Sequence, residues 1–120
     1  MSKNIELGRT GEDLAVEHYE ALGLTIISRN WRCREGELDI VATDHRDLLV
    51  ICEVKTRSGV GFGLPVESIT SGKRRRIRRL AALWLGEHRT RPDIHIRFDV
   101  VGVLAEPGKS VELTHIEGAF

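Results

Sequence analysis

Residues 36–57 read GELDIVATDHRDLLVICEVKTR, two β-like runs separated by a polar DHRD break. The first run carries Glu37 and Asp39 and the second carries Glu53 and Lys55, where a buried sheet favours Val or Ile. Side chains alternate faces along a strand, so Leu48, Val50, Cys52 and Val54 share one face and Leu49, Ile51, Glu53 and Lys55 the other. Both faces are apolar up to Cys52, the pattern of a central strand covered on both sides. In the preceding run Glu37, Asp39 and Val41 share a face, and a hairpin turning near Arg46 brings Asp39 beside Glu53 or diagonally across from it. Like charges on neighbouring strands destabilise a sheet unless something neutralises them. Mg²⁺ does so with one or two carboxylates, completing its shell with water and phosphate oxygens. A metal so held supplies hydroxide at neutral pH and relieves the charge of a phosphodiester transition state, and a lysine beside it adds a proton-handling cation.

A third carboxylate has the same oddity. Ile5, Gly8, Glu12, Ala15, Tyr19 and Leu22 recur at steps of three and four over residues 4–22, which predicts a helix with Glu12 inside its buried stripe. Gly23 supplies the stop. The plainer alternative is a set of ion pairs, Glu53 with Lys55 two residues on and Glu37 with Lys55 across the hairpin. That network leaves more acids than bases, and a metal accounts for the surplus.

The elements that must position these residues follow from the apolar pattern. Strands are expected at 24–32, 36–43, 47–55 and 94–104, with a short edge strand at 111–116. The stretch 56–65, with Gly59, Gly61, Gly63 and Pro65, reads as a loop. A second helix runs from about Thr70 to Glu87, its core stripe Ile77, Leu80, Ala81, Trp84 and Leu85, with Thr70 or Ser71 as the cap.

That second helix opens with GKRRRIRR. Lys73 stands four residues before Ile77 and points toward the same face as the core stripe, while Arg74, Arg75, Arg78 and Arg79 turn to solvent. One reading is a ridge that tracks nucleic-acid phosphates without reading sequence; the other is a solvated face paired to acids. Like charges four apart cost helix stability when no polyanion is present, which favours the ridge. Trp31 stacks on a base or fills a strand end, the histidines at 18, 45, 88, 95 and 115 have no metal spacing, and Asp99 is expected to pair with Arg97.

With 120 residues, formal net charge +0 and 41% hydrophobic residues, the chain has the size and composition of one soluble domain, residues 1–120, and carries no general basic coat. Any polyanion must meet a local concentration of charge. The N-terminus is polar and mixed in charge, unlike a signal peptide or membrane span, and Cys33 and Cys52 have no CxxC spacing. A cytoplasmic protein is expected, with Cys52 a small buried hydrophobe.

Asp39 with Glu53-Val54-Lys55 resembles the PD-(D/E)XK nuclease superfamily. The wider set looks like the YraN-like family of predicted endonucleases, related to archaeal Holliday-junction resolvases. It comprises Gly8, Gly11-Glu12, Ala15, Asn30-Trp31-Arg32, Gly36-Glu37-Leu38-Asp39, Glu53-Val54-Lys55-Thr56-Arg57, Phe62-Gly63, Lys73 and Arg97-Phe98-Asp99. The match spans residues from about 4 to 104; Leu38 stands where the superfamily motif has proline. The resemblance implies an α/β, restriction-endonuclease-like α-β-β-β-α-β core with a mixed central sheet flanked by helices. It implies that Asp39, Glu53 and the Val54 carbonyl hold Mg²⁺ or Mn²⁺, that Lys55 orients the attacking water, and that Glu12 completes the site. The expected activity is metal-dependent endonucleolytic cleavage of DNA, branched or damaged, by a chain that dimerises as resolvases do. Lys73, Arg74, Arg75, Arg78, Arg79 and Arg57 would bind the nucleic acid, and no membrane is involved. The alternatives are a non-catalytic nucleic-acid-binding module of the same fold and a protein whose arginine ridge docks an acidic partner.

Overall fold

A computed structural model of the chain describes residues 3–59 and 69–120, with side chains from residue 10 onward. Phe62, Gly63 and most of the glycine-rich stretch, like the side chain of Ile5, lie outside the described residues, and so does the packing at Gly8. The elements are α1 (Lys3–Ala21), β1 (Thr25–Cys33), β2 (Gly36–Thr43), β3 (Leu48–Arg57), α2 (Ser71–Glu87), β4 (His95–Leu104) and β5 (Glu112–Ile116).

Each boundary has a local cause. Gly23, at φ +88°, takes the left-handed conformation that stops α1, and Leu24 N–H closes on the Tyr19 carbonyl at 3.0 Å. Leu22, placed in the buried stripe by the sequence, is 54% exposed, because the helix ends at Ala21 and the chain turns away. The β2–β3 turn is fixed by Asp44 Oδ1, which accepts from the N–H groups of Arg46 at 2.8 Å and Leu48 at 3.1 Å. Thr70 is the cap of α2, its hydroxyl accepting from Lys73 N–H at 3.2 Å.

The five strands form one mixed sheet in the order β1-β2-β3-β4-β5. Neighbours are antiparallel except β3 and β4, which are parallel, with α2 lying between them in the chain. The fold is therefore the expected α-β-β-β-α-β core with an added edge strand. β3 is the central strand, and its two faces carry separate cores. Val50 and Cys52 pack with Ile40, Ala42, Val101 and Val103 against Ala15 and Tyr19 of α1. Leu49 and Ile51 pack with Leu38, Val41 and Phe98 against Ile77, Leu80, Ala81 and Trp84 of α2. The alternation that buries β3 on both sides thus directs Glu53 and Lys55 to the α2 side.

Gly11 sets how closely α1 approaches the sheet. A Cβ on Gly11 would stand 2.0 Å from Thr56 Oγ1, so only glycine lets the helix lie against the C-terminal end of β3. Gly36, at φ +150°, does the same for the β1–β2 hairpin, where a Cβ would press on Leu80 Cδ1 at 3.2 Å.

Candidate active site

The β2–β3 ladder pairs Thr43 with Leu49, Ala42 with Val50, Val41 with Ile51 and Ile40 with Cys52. It stops there. β2 continues toward Gly36 on β1, and β3 continues to Arg57 on β4. The two strands part at the fork where Asp39 and Glu53 are the next residues, directly opposite rather than diagonal. Instead of a regular ladder bond, the Asp39 side chain bridges the gap: its Oδ2 accepts from Val54 N–H at 2.8 Å.

Below the fork lies a cleft of about 320 Å³ lined by Gly36, Glu37, Asp39, Glu53, Lys55, Lys73, Arg76, Ile77 and Leu80. Asp39, Glu53, Lys55 and Lys73 of the expected site therefore share one cavity. Lys55 Nζ is 3.4 Å from Glu53 Oε1. Burial, then the charge of Glu53, pushes the Asp39 carboxyl up to about 8, against the opposing pull of the Val54 N–H. Without a cation beside it, the Asp39 carboxyl thus favours its protonated form at neutral pH.

Glu12 reaches this place from the other side of the sheet. It lies on the α1 stripe with Ala15 and Tyr19, which belong to the opposite core, and its charge acts on Asp39 through the open fork. Its carboxyl is raised by burial, against a hydrogen bond from Asn30 and the nearby Arg29 guanidinium. Its Oε1 is buried with no hydrogen-bond partner among the described residues. Such an atom costs stability until a donor or a cation meets it.

Among the described residues, no three His, Cys, Asp or Glu side chains are gathered into a ready metal cage. The three expected acids are arranged instead as a facing pair, Asp39 and Glu53, with Glu12 beside it. A hard divalent ion that keeps most of its waters needs no more than one or two protein carboxylates. The crowded pair and the Glu12 oxygen together fit such an ion, which Asp39, Glu53 and the Val54 carbonyl could hold.

Three residues beyond the expected set contribute. Arg76 lines the cleft with Lys73 and was signalled by its place three residues after Lys73 and four before Leu80. Asn30 holds Glu12; it sits between Arg29 and Trp31, which pair with Ile40 and Leu38 on either side of Asp39. Asn30 takes φ 54°, a left-handed conformation that Asn tolerates. Glu37 forms part of the cleft wall and pairs with Arg32 at 3.1 Å, not with Lys55.

The arginine ridge divides. Arg74, Arg75, Arg78 and Arg79 are all exposed, as expected. Arg78 lies over the Phe98 ring at 4.7 Å, Arg74 over Phe120 at 5.8 Å, and Arg79 Nε binds Glu35 Oε1 at 2.6 Å. Arg57, half-buried, donates to the Thr56 carbonyl at 3.2 Å. Inside the cleft the Lys73 ammonium is lowered, chiefly by Lys55 beside it. Two cations held close to one another form a ready counter-charge for an anion.

Asp99 is fully buried and paired with Arg97 at 2.9 Å and 3.0 Å, as the sequence suggested. It also accepts from the Tyr19 hydroxyl at 2.9 Å, Gly118 N–H at 3.1 Å and His115 Nε2 at 2.8 Å. Burial alone would raise Asp99, but the Arg97, His115, Gly118 and Tyr19 donors outweigh it and hold the carboxyl below its ordinary range. This network ties α1 to β4 and the C-terminal residues, away from the cleft. Trp31 packs against the α2 core and donates to Glu87 Oε2 at 2.9 Å, the strand-end alternative rather than a base-stacking one. No helix among the described residues is long and apolar enough to cross a membrane.

Comparison with known proteins agrees with the residue pattern. A family described as Uncharacterised protein family UPF0102 matches residues 11–103. A UPF0102 protein of Acidothermus cellulolyticus is 52% identical over 123 residues, covering 95% of this chain and 92% of its own. One from a Parafrankia species is 54% identical over 114 residues, covering 95% of each chain. One from Rhodococcus opacus is 46% identical over 120 residues and spans both chains completely. With the fork, its acids and its lysine all inside the matched segment, the chain belongs to the UPF0102 family, the YraN-like family that its motifs resemble.

Proposed function

We propose that this protein is a divalent-metal-dependent endonuclease that hydrolyses DNA phosphodiester bonds, directed to branched or damaged DNA by structure rather than sequence. The observation that carries this reading is the fork. There the sheet gives up a regular pairing to set Asp39 opposite Glu53, with Lys55 at 3.4 Å from Glu53 and two further cations, Lys73 and Arg76, across the same cleft. A purely structural ion-pair network has no use for an acid driven up to about 8 by burial and by the charge of Glu53, nor for a buried Glu12 oxygen with no hydrogen-bond partner among the described residues.

Mg²⁺ or Mn²⁺, when bound, supplies a water acidic enough to attack at neutral pH and a positive charge for the phosphate oxygens. Asp39, Glu53 and the Val54 carbonyl would hold it. Asp39 must release its proton to do so, and the Val54 N–H fixes the orientation of the resulting carboxylate. Lys55, held at 3.4 Å from Glu53, would orient the attacking water and stabilise charge gathering on the phosphorane. Lys73 and Arg76 hold the non-bridging oxygens of the phosphate, positioning it for attack. Glu12 accepts a hydrogen bond from a water at the site, with Asn30 setting its rotamer.

The test is a panel of single-stranded, duplex, flapped and four-way DNA incubated with Mg²⁺, with Mn²⁺ and with chelator, alongside Asp39→Asn. Metal-dependent cleavage that disappears in Asp39→Asn, with DNA binding retained or improved, is the expected result. Cleavage of none of these with any metal favours a second reading, a nucleic-acid-binding module that keeps the nuclease fold. The absence of a three-ligand cage among the described residues and the Glu53–Lys55 ion pair favour that reading.

A further inference from the structure

Beside the cleft lies a second depression of about 410 Å³, lined by Arg32, Cys33, Arg34, Glu35, Gly36 and Glu37. The two cavities share Gly36 and Glu37, so they adjoin at the base of the β1–β2 hairpin, next to the fork. We propose that this hairpin groove is a second phosphate-binding site, in which Arg32 and Arg34 hold the backbone of the same nucleic-acid strand whose scissile phosphate sits at Asp39 and Glu53. The inference rests on the nuclease reading and assigns the strand its path out of the active site.

Three observations carry it. First, the hairpin is not a loose tip. Gly36 brings its bare Cα under Leu80, and Glu35 pairs with Arg79, so the hairpin lies against the basic helix α2. Second, Arg32 is opposite Glu37 in the β1–β2 register, two residues from Asp39. Two strand residues span about 7 Å, which places Arg32 beyond a phosphate at the fork and within reach of its neighbours. Third, the Arg32 side chain is 78% exposed and its partner Glu37 at 3.1 Å lines both cavities. A solvent-exposed pair of this kind is worth little, whereas a guanidinium on a phosphate makes a charge-assisted, bidentate contact. An entering strand therefore draws Arg32 from Glu37 at small cost, and Arg34, exposed at the tip, extends the contact.

The experiment measures binding of a fluorescent single-stranded oligonucleotide and of its duplex, in chelator, over a range of salt. Variants Arg32→Ala, Arg34→Ala and their combination are compared with wild type and with Arg46→Ala in the β2–β3 turn, at the opposite end of the sheet. Each hairpin substitution should weaken binding about three- to tenfold and reduce the slope of log K against log salt by about one, and Arg46→Ala should change neither. Glu37→Gln, which frees Arg32 and removes a repelling charge, should tighten binding. Wild-type affinity and slope in the Arg32→Ala/Arg34→Ala protein overturn the proposed groove while leaving the nuclease reading standing. No binding by the wild type overturns that reading, and this inference falls with it.

Discussion

Asp39 and Glu53 put two acids where one positive charge is missing, and burial together with the charge of Glu53 holds the Asp39 carboxyl well above its ordinary range. Because its folded carboxyl is raised from 3.8 to about 8, its contribution to stability is fully present below pH 3.8 and is lost as pH rises through about 8. Asp39→Asn keeps an acceptor for Val54 N–H and removes the charge. In chelator at pH 8 it should stabilise the protein by on the order of 2 kcal/mol and flatten the dependence of Tm on pH between 4 and 8. A Tm lower than wild type at pH 8 would refute this. Metal binding competes with the same proton, so addition of Mg²⁺ should raise the wild-type Tm more at pH 8 than at pH 6. Equal shifts at the two pH values would remove Asp39 from the ligand set.

At the scale of elements, the site exists because two strands separate and two helices flank the gap. α1 can bring Glu12 to the fork only because Gly11 lets it lie against Thr56. Gly11→Ala should destabilise the fold by about 1–3 kcal/mol, measured by urea unfolding, and Thr56→Ala in the same chain should recover part of that loss. If Gly11→Ala unfolds at the wild-type midpoint, α1 does not approach as closely as described. Much of this layer is legible in sequence. The two-residue alternation in 48–55 fixes which face each side chain takes, and the three-and-four spacing of Glu12, Ala15 and Tyr19 puts Glu12 on the inner face of α1. The pairing of Asp39 with Glu53 was legible only to within one position, because the Asp44 side chain decides where the turn closes. Asn30 belongs to the family-like pattern, but its role at Glu12 was not legible: its place beside Asp39 depends on a β1–β2 register that shifts between Ile26 and Ser28.

For the whole molecule, a formal net charge of +0 means that attraction of a polyanion depends on where the charges lie. The sequence placed six cations at the head of α2, and the structure divides their duties. Lys73 and Arg76 face the cleft, Arg78 covers Phe98, and Arg79 secures the hairpin. Lys73→Ala/Arg76→Ala should therefore reduce the salt slope of DNA binding by about two with little change in stability. Arg78→Ala should instead lower stability by about 0.5–1 kcal/mol through its lost stacking; equal effects of the two changes on binding would contradict this division. Long-range polar contacts were the least legible part. His18 and His115, 97 residues apart, meet at 2.9 Å beside the Tyr19–Asp99 bond, and no spacing along the chain announces such a meeting.

The central claim is that the Asp39–Glu53 fork is a phosphodiester-cleaving centre, and a single charge-neutral change at Glu53 tests it most directly. With wild type and Glu53→Gln at equal concentration on four-way and flapped DNA in Mn²⁺, the wild type should nick the DNA. The variant should bind it at least as tightly and leave it whole. Cleavage by Glu53→Gln at the wild-type rate, or no cleavage by either protein, would contradict the claim.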